Sequence, residues 1–347
     1  MKASRVVVGG LVALGIAMGI GRFAFTPLLP IMLADGSVDL RGASWLASAN
    51  YAGYLLGALA CTFQPWLWRH VRLRTPIRAP QLVRAGMAAT TVLTLGMALQ
   101  APGLWPALRF CAGLASAGVF IYTSGWCLAR LGELQLPGLG ALIYIGPGAG
   151  IVFTGLAASA MVALHASAAT GWAVFGLLAA LLTALVWPVF QADAATRGPA
   201  VPDTAGAAAP VPRQLELAVL TLAYGLAGFG YIITATFLPV IARSALPDSP
   251  WLDLFWPLFG GGVIAGALLA SRLRTSGDLR LALAACYVVQ ALGIVVSLVS
   301  PTLAGFAVGS ALLGLPFPSL SSPCRRCDAF ARCMPPAPWD FSRRCTG

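Results

Sequence analysis

GIGRFAFTPLLP, residues 19–30, decides the fold class. It lies in an apolar run from Val6 to Leu33 in which Arg22 is the only charge, and Pro27 and Pro30 follow the arginine closely. At 1.5 Å per helical residue such a run is long enough to cross a hydrocarbon core of about 30 Å. A cation inside it costs about 2.5–3.5 kcal/mol on insertion scales. Arg22 sits about 24 Å along an ideal helix from Val6, with about 16 Å more to Leu33. Snorkelling to either interface is therefore strained. Two readings follow. Arg22 faces an aqueous central cavity and contacts a ligand, or it is a structural arginine bound to the helix carbonyls that Pro27 and Pro30 leave free at Phe23 and Thr26.

The composition extends this reading to the whole chain. It is 59% hydrophobic and 10% charged, against roughly 25% charged residues in soluble domains. Mean hydropathy is +0.83. Apolar stretches recur at about 6–33, 44–66, 82–100, 103–128, 138–164, 168–190, 214–242, 251–271, 281–299 and 302–320, which predicts ten transmembrane helices in an all-α polytopic membrane protein. The net charge of +11 is no nucleic-acid signal, because the charges fall between these stretches. The N-terminal apolar run is too long for a signal peptide, and many spans follow.

Loop charges set the orientation. With the N-terminus cytoplasmic, the inner segments carry Lys2, Arg5, Arg69, Arg72, Arg74, Arg78, Arg84, Arg130, Arg197, Arg213, Arg272, Arg274 and Arg280, and the outer ones only Arg41 and Arg243. That is the positive-inside pattern. It predicts a multi-pass protein of a bacterial inner membrane.

Residues 191–213, rich in Ala, Pro and Gly, read as a cytoplasmic linker. They separate a six-helix bundle, 1–190, from a partial bundle of four helices, 214–320. An internal repeat supports two related halves. At an offset of 209, GIGRFAFTPLLP meets GFGYIITATFLP, pairing Gly19 with Gly228, Gly21 with Gly230, Leu29 with Leu238 and Pro30 with Pro239. At the same offset Gly57-Ala58-Leu59 meets Gly266-Ala267-Leu268. Parallel six-span repeats are an architecture of secondary transporters.

Two further motifs complete the picture. RFCAGLASAG, residues 109–118, puts Arg109, Gly113, Ser116 and Ala117 roughly on one helix face. GALIYIGPGAG, residues 140–150, contains a helix-kinking Pro147 among glycines that admit a close backbone neighbour. The first resembles the span-four arginine-glycine motif of major facilitator superfamily (MFS) transporters, and the second resembles their span-five glycine-proline motif. GIGRFAFTPLLP together with NYAGYLLGA, residues 50–58, is similar to the YbfB/YjiJ group of that superfamily. The resemblance covers about residues 5–317. It implies an MFS fold of two six-helix bundles, the second truncated here, and alternating access around a central site. Residues 66–84, WLWRHVRLRTPIRAPQLVR, hold the basic part of the superfamily's loop motif without its aspartate.

The resemblance ends where the composition changes. Residues 321–347 are rich in Cys, Arg and Pro, with Cys324, Cys327, Cys333 and Cys345. Their spacing matches no familiar zinc framework. From Pro318 onward, codon choices exist by which a shifted frame restores an apolar helix and a basic end. The tail therefore reads as a frameshifted, disordered segment. Cys61, Cys111, Cys127 and Cys286 sit singly in spans as packing residues.

The site residues follow from what is polar inside the spans. Arg22 and Arg109 are embedded cations, while Glu133, Glu216, Asp248 and Asp253 fall at span ends or in loops. The superfamily resemblance places an arginine such as Arg109 near the cavity. Two cations without deep carboxylates make a positive cavity, suited to a small organic anion. Asn50, Tyr51, Tyr54, Tyr122, Tyr231 and Gln290 are the remaining substrate-binding candidates, and Pro27, Pro30, Gly146, Pro147 and Gly150 the conformational ones. The reading is thus a monomeric secondary transporter with a small-molecule substrate, a coupling proton and the bilayer as partners, and neither cofactor, metal nor nucleic acid. The only histidines, His70 and His165, fall on opposite sides, which speaks against an enzyme. The alternatives are a truncated, defective transporter and a non-transporting membrane protein.

Overall fold

The structure is a computed structural model that describes residues 2–71, 78–99, 101–192, 214–246, 251, 254–272 and 279–316. The expected linker, from residue 193 on, and the cysteine-rich tail with Cys324, Cys327, Cys333 and Cys345 lie outside the described residues. So does most of the basic loop after residue 71.

The described residues form helices and no strand. Span one is three pieces: α1 (Ala3–Leu14), a π-helical segment (Gly15–Arg22) and α2 (Phe25–Ala34). Next come α3 (Leu40–Val71), α4 (Ala79–Gly96), a short 3-10 turn (Pro102–Leu104) and α5 (Trp105–Glu133). A 3-10 stretch (Pro137–Tyr144) leads into α6 (Ile145–Ala163), then α7 (Ala168–Ala192), α8 (Gln214–Ala245), α9 (Phe255–Arg272), α10 (Leu279–Val299) and α11 (Leu303–Gly314).

Six segments among the described residues are long and apolar enough to cross a membrane: Ala3–Ala34, Pro102–Glu133, Pro137–Ala163, Ala168–Gln191, Phe255–Arg272 and Leu281–Val299. Leu222–Leu238 and Leu303–Gly314 are apolar but shorter. α3 and α4 are diluted by polar residues, Asn50, Tyr51 and Tyr54 in one and Gln81, Arg84 and three threonines in the other. Among residues 2–192, α5 packs on α1, α3 and α4, and α7 on α1 and α4, while the π segment lies against α6. α11 packs on α9 and α10. The two parts meet along α6–α9 and α2–α8. Small residues make the α6–α9 contact possible: a Cβ on Gly260 would stand 2.8 Å from the Gly148 carbonyl oxygen, and one on Gly155 2.7 Å from Pro257.

Two local departures from α-helix have covalent causes. Pro27 has no N–H to give Phe23, and the Phe23 carbonyl is taken by Thr26 N–H instead, at 3.1 Å. Just before it, Phe23 N–H reaches five residues back to Met18 O at 2.9 Å, which is the π pattern. In span five, Pro147 cannot donate to the Ile143 carbonyl, and the chain before it runs as 3-10 helix up to Tyr144. The expected kink is therefore a change of helix type three residues ahead of the proline.

A tight loop ends span one. Asp35 Oδ1 accepts from the Ser37 hydroxyl (2.5 Å) and the Ser37 amide (3.1 Å), and Oδ2 accepts from Ala168 N–H at the start of α7 (3.0 Å). Burial pushes this carboxyl up, but the three hydrogen bonds outweigh it and hold it below its ordinary 3.8.

Candidate functional site

Arg22 closes the π segment and is 8% exposed. Its guanidinium carbon lies 3.8 Å from the Tyr54 ring centroid, 5.4 Å from that of Tyr51 and 5.6 Å from that of Phe23. This is a cation–π cage supplied mainly by α3, where Tyr51 and Tyr54 stand three residues apart and so share a helix face. Nε and Nη1 of Arg22 have no hydrogen-bond partner among the described residues. Aromatic rings thus flank the guanidinium in this conformation, and no helix carbonyl among the described residues accepts from it. Tyr231 of α8, 9% exposed, belongs to the same cluster, as do Met18, Ile151, Trp256 and Phe259. Tyr231 lies 6.0 Å from Phe259, and Phe23 meets Trp256 edge-on at 6.0 Å. Tyr51 also hydrogen-bonds the Thr236 hydroxyl of α8, which ties α3 to α8 beside the cage.

Arg109 is placed differently. It is 3% exposed and donates from Nη1 to Gly21 O and from Nη2 to Arg22 O, both at 3.1 Å. Its flanks rest on Phe25 (5.0 Å) and Trp172 (5.8 Å). The Arg22 carbonyl is free for this bond because Thr26 N–H has turned to Phe23. The carbonyl-binding arginine of span one's broken helix is thus Arg109, reaching in from α5. Asn50, fully buried, donates to the Arg109 carbonyl at 2.8 Å, while its Oδ1 has no partner. The stripe after Arg109 serves the α3–α5 contact: a Cβ on Gly113 would stand 2.1 Å from Asn50 O.

The structure therefore brings Arg22, Tyr51, Tyr54 and Tyr231 into one cluster, with Arg109 and Asn50 bracing its backbone. Tyr122 is instead bonded to Gln64 of α3, and Gln290 donates to Ala227 O of α8 at 2.7 Å. Pro27 and Pro30 are buried in α2. Gly146 and Gly150 face span one: a Cβ on Gly146 would stand 2.0 Å from Leu11 O, and one on Gly150 2.7 Å from Gly19 Cα. Pro147 is buried between them. Residue typing missed Thr236, Trp256 and Phe259. The repeat held the signal for Thr236, since at the offset of 209 it pairs with Pro27, just as Tyr231 pairs with Arg22. Among the described residues no cluster of His, Cys, Asp or Glu could hold a metal.

Chemically, the cage offers a fixed positive charge, two unpartnered donors and phenol rings. That set can exchange cation–π contacts for a charge-assisted bond to an anion. A family model described as "Uncharacterised MFS-type transporter YbfB" matches residues 14–327. The match runs past Phe317 into the segment where the composition changes. No curated protein matches the chain.

Proposed function

We propose that this chain, which belongs to the YbfB-like family of MFS-type transporters, is a secondary transporter that moves a small organic anion across a bacterial inner membrane. Its spans are the ten helical runs, its N-terminus is cytoplasmic, and it works as a monomer. Residues 1–190 and 214–320 act as the two bodies that rock about a midplane site. The observation that carries the reading is Arg22: buried, held by rings rather than by a carboxylate, with two donors unpartnered. An unpaired buried cation is costly, so a ligand that supplies the missing negative charge binds with that cost relieved.

The roles divide accordingly. Arg22 binds the anion, Tyr51, Tyr54 and Tyr231 hold the guanidinium between turnovers, and Arg109 and Asn50 hold the unwound backbone in place. Opening of the Tyr51–Thr236 contact accompanies the rocking. Tyr122 and Gln290 line the path at other depths. The test is uptake into proteoliposomes by the full chain, comparing small carboxylates with organic cations of similar size, with and without a pH gradient. Anion flux that Arg22→Ala abolishes supports the proposal, and flux that rises with an inward proton gradient adds a proton as coupling ion. Preference for cations, or unchanged flux in Arg22→Ala, overturns the anion site.

A second reading, a membrane protein that binds without transporting, has one observation in its favour. A Cβ on Gly225, Gly228 or Gly230 of α8 would meet no described residue within 4 Å, while Leu222, Leu226 and Phe229 are exposed. The counterpart face of span one is fully packed. Saturable anion binding with no flux would decide for that reading.

A further inference from the structure

A second feature lies away from the cage. α4 and α7 leave a groove of about 530 Å3 between them, open to the outside and lined by Ala88, Thr91, Val92, Ala180, Thr183, Ala184, Trp187 and Pro188. Its floor asks for no polar ligand. Thr91 donates to Met87 O at 3.1 Å and meets the Thr183 hydroxyl at 3.4 Å, so both hydroxyls are engaged within the protein. Val92 in its lining is exposed.

One end is different. Arg84 lies one turn before Ala88 on α4, half-buried, with its guanidinium carbon 4.1 Å from the Trp187 ring centroid. It makes no hydrogen bond or salt bridge to any described residue, and its Nε is buried without a partner. Arg78 stands exposed at the N-cap of the same helix. α4 runs away from this end, so its positive pole adds to the two arginines. From Arg84 to Val92 the groove extends about 12 Å along the helix toward the middle of the spans.

We propose that this groove is a binding site for an anionic phospholipid of the cytoplasmic leaflet. The phosphate pairs with Arg84, and one acyl chain lies over Ala88, Thr91 and Ala184. Charge complementarity selects the occupant: an apolar slot that ends in an arginine without a described ionic partner, beside a tryptophan, fits a lipid whose head is negative. A free anion would leave the slot unfilled, and a zwitterionic lipid would bring its own cation to an end that already carries Arg84 and Arg78.

The test uses purified full-length protein in detergent with phosphatidylglycerol, phosphatidylcholine or inorganic phosphate, and counts retained lipid by native mass spectrometry. Retention of phosphatidylglycerol over phosphatidylcholine by about fivefold is expected. Arg84→Gln should bring the two lipids level, and Ala184→Phe should lower both. Brominated phosphatidylglycerol should quench the wild-type tryptophan fluorescence more than that of Trp187→Phe, which needs no variant of Arg84 to fold. Equal retention of the two lipids by the wild type overturns the proposal. So does undiminished preference in Arg84→Gln, displacement by millimolar phosphate, or equal quenching in Trp187→Phe.

Discussion

Arg22 and Arg109 are the same residue type at similar burial, and they do opposite things. Arg109 satisfies two carbonyls that a broken helix would otherwise leave bare. Replacing it with glutamine removes two charge-assisted bonds and should cost about 3 kcal/mol of stability, read as a lower melting temperature in detergent. Arg22 makes no such bonds, and only its cation–π contacts offset the cost of burying it. Arg22→Met should therefore raise the melting temperature while abolishing anion flux, a split that marks a ligand contact held against stability. Residue chemistry made Arg22 conspicuous in the sequence, because a charge in an apolar run has few explanations. It could not separate the two arginines. The difference lies in which carbonyls are free, and that depends on hydrogen bonds between elements.

At the scale of the helix, the contact between span one and α6 is the tightest test of the glycine reading. A Cβ on Gly19 would lie 2.5 Å from Gly150 Cα, with backbone on both sides and nothing flexible to yield. Gly19→Ala should destabilise by about 1–3 kcal/mol. Around Gly228, its partner in the repeat, no described residue lies within 4 Å of an added Cβ. Gly228→Ala should be neutral or stabilise by about 0.5–1 kcal/mol through helix propensity. Thermal melts of the two variants side by side check both. Glycine spacing made the close approach legible beforehand. The partner helix was not legible, since small residues recur in most spans and only folding pairs Gly19 with Gly150. Helix type was also hidden, because proline position marks where a ladder breaks and not how the neighbouring carbonyls are reassigned.

Across the molecule, Asp35 joins the end of span one to the start of α7. Its folded carboxyl titrates below the ordinary 3.8, so the stability it contributes is complete above that value and is lost as pH falls through the lower folded value. Melting temperature should drop across that acid window in the wild type, and Asp35→Asn should flatten the drop. The helical class was legible from hydropathy. The aromatic enclosure of Arg22 was not, since it needs α3, α8 and α9 to converge from distant parts of the chain.

The π segment lies where the register of the internal repeat shifts by one residue. GIAMGIG, residues 15–21, matches GLAGFG, residues 225–230, once Met18 is set aside. Gly15 then falls on Gly225, one step out of the register that holds from Gly19 onward. One added residue is accommodated by widening the hydrogen-bond step from four residues to five, the pattern that runs over Gly15–Arg22 and ends with Phe23 N–H on Met18 O. Such a residue turns those that follow it relative to the preceding helix, and Arg22, the last residue of the π segment, is the first charge after that turn.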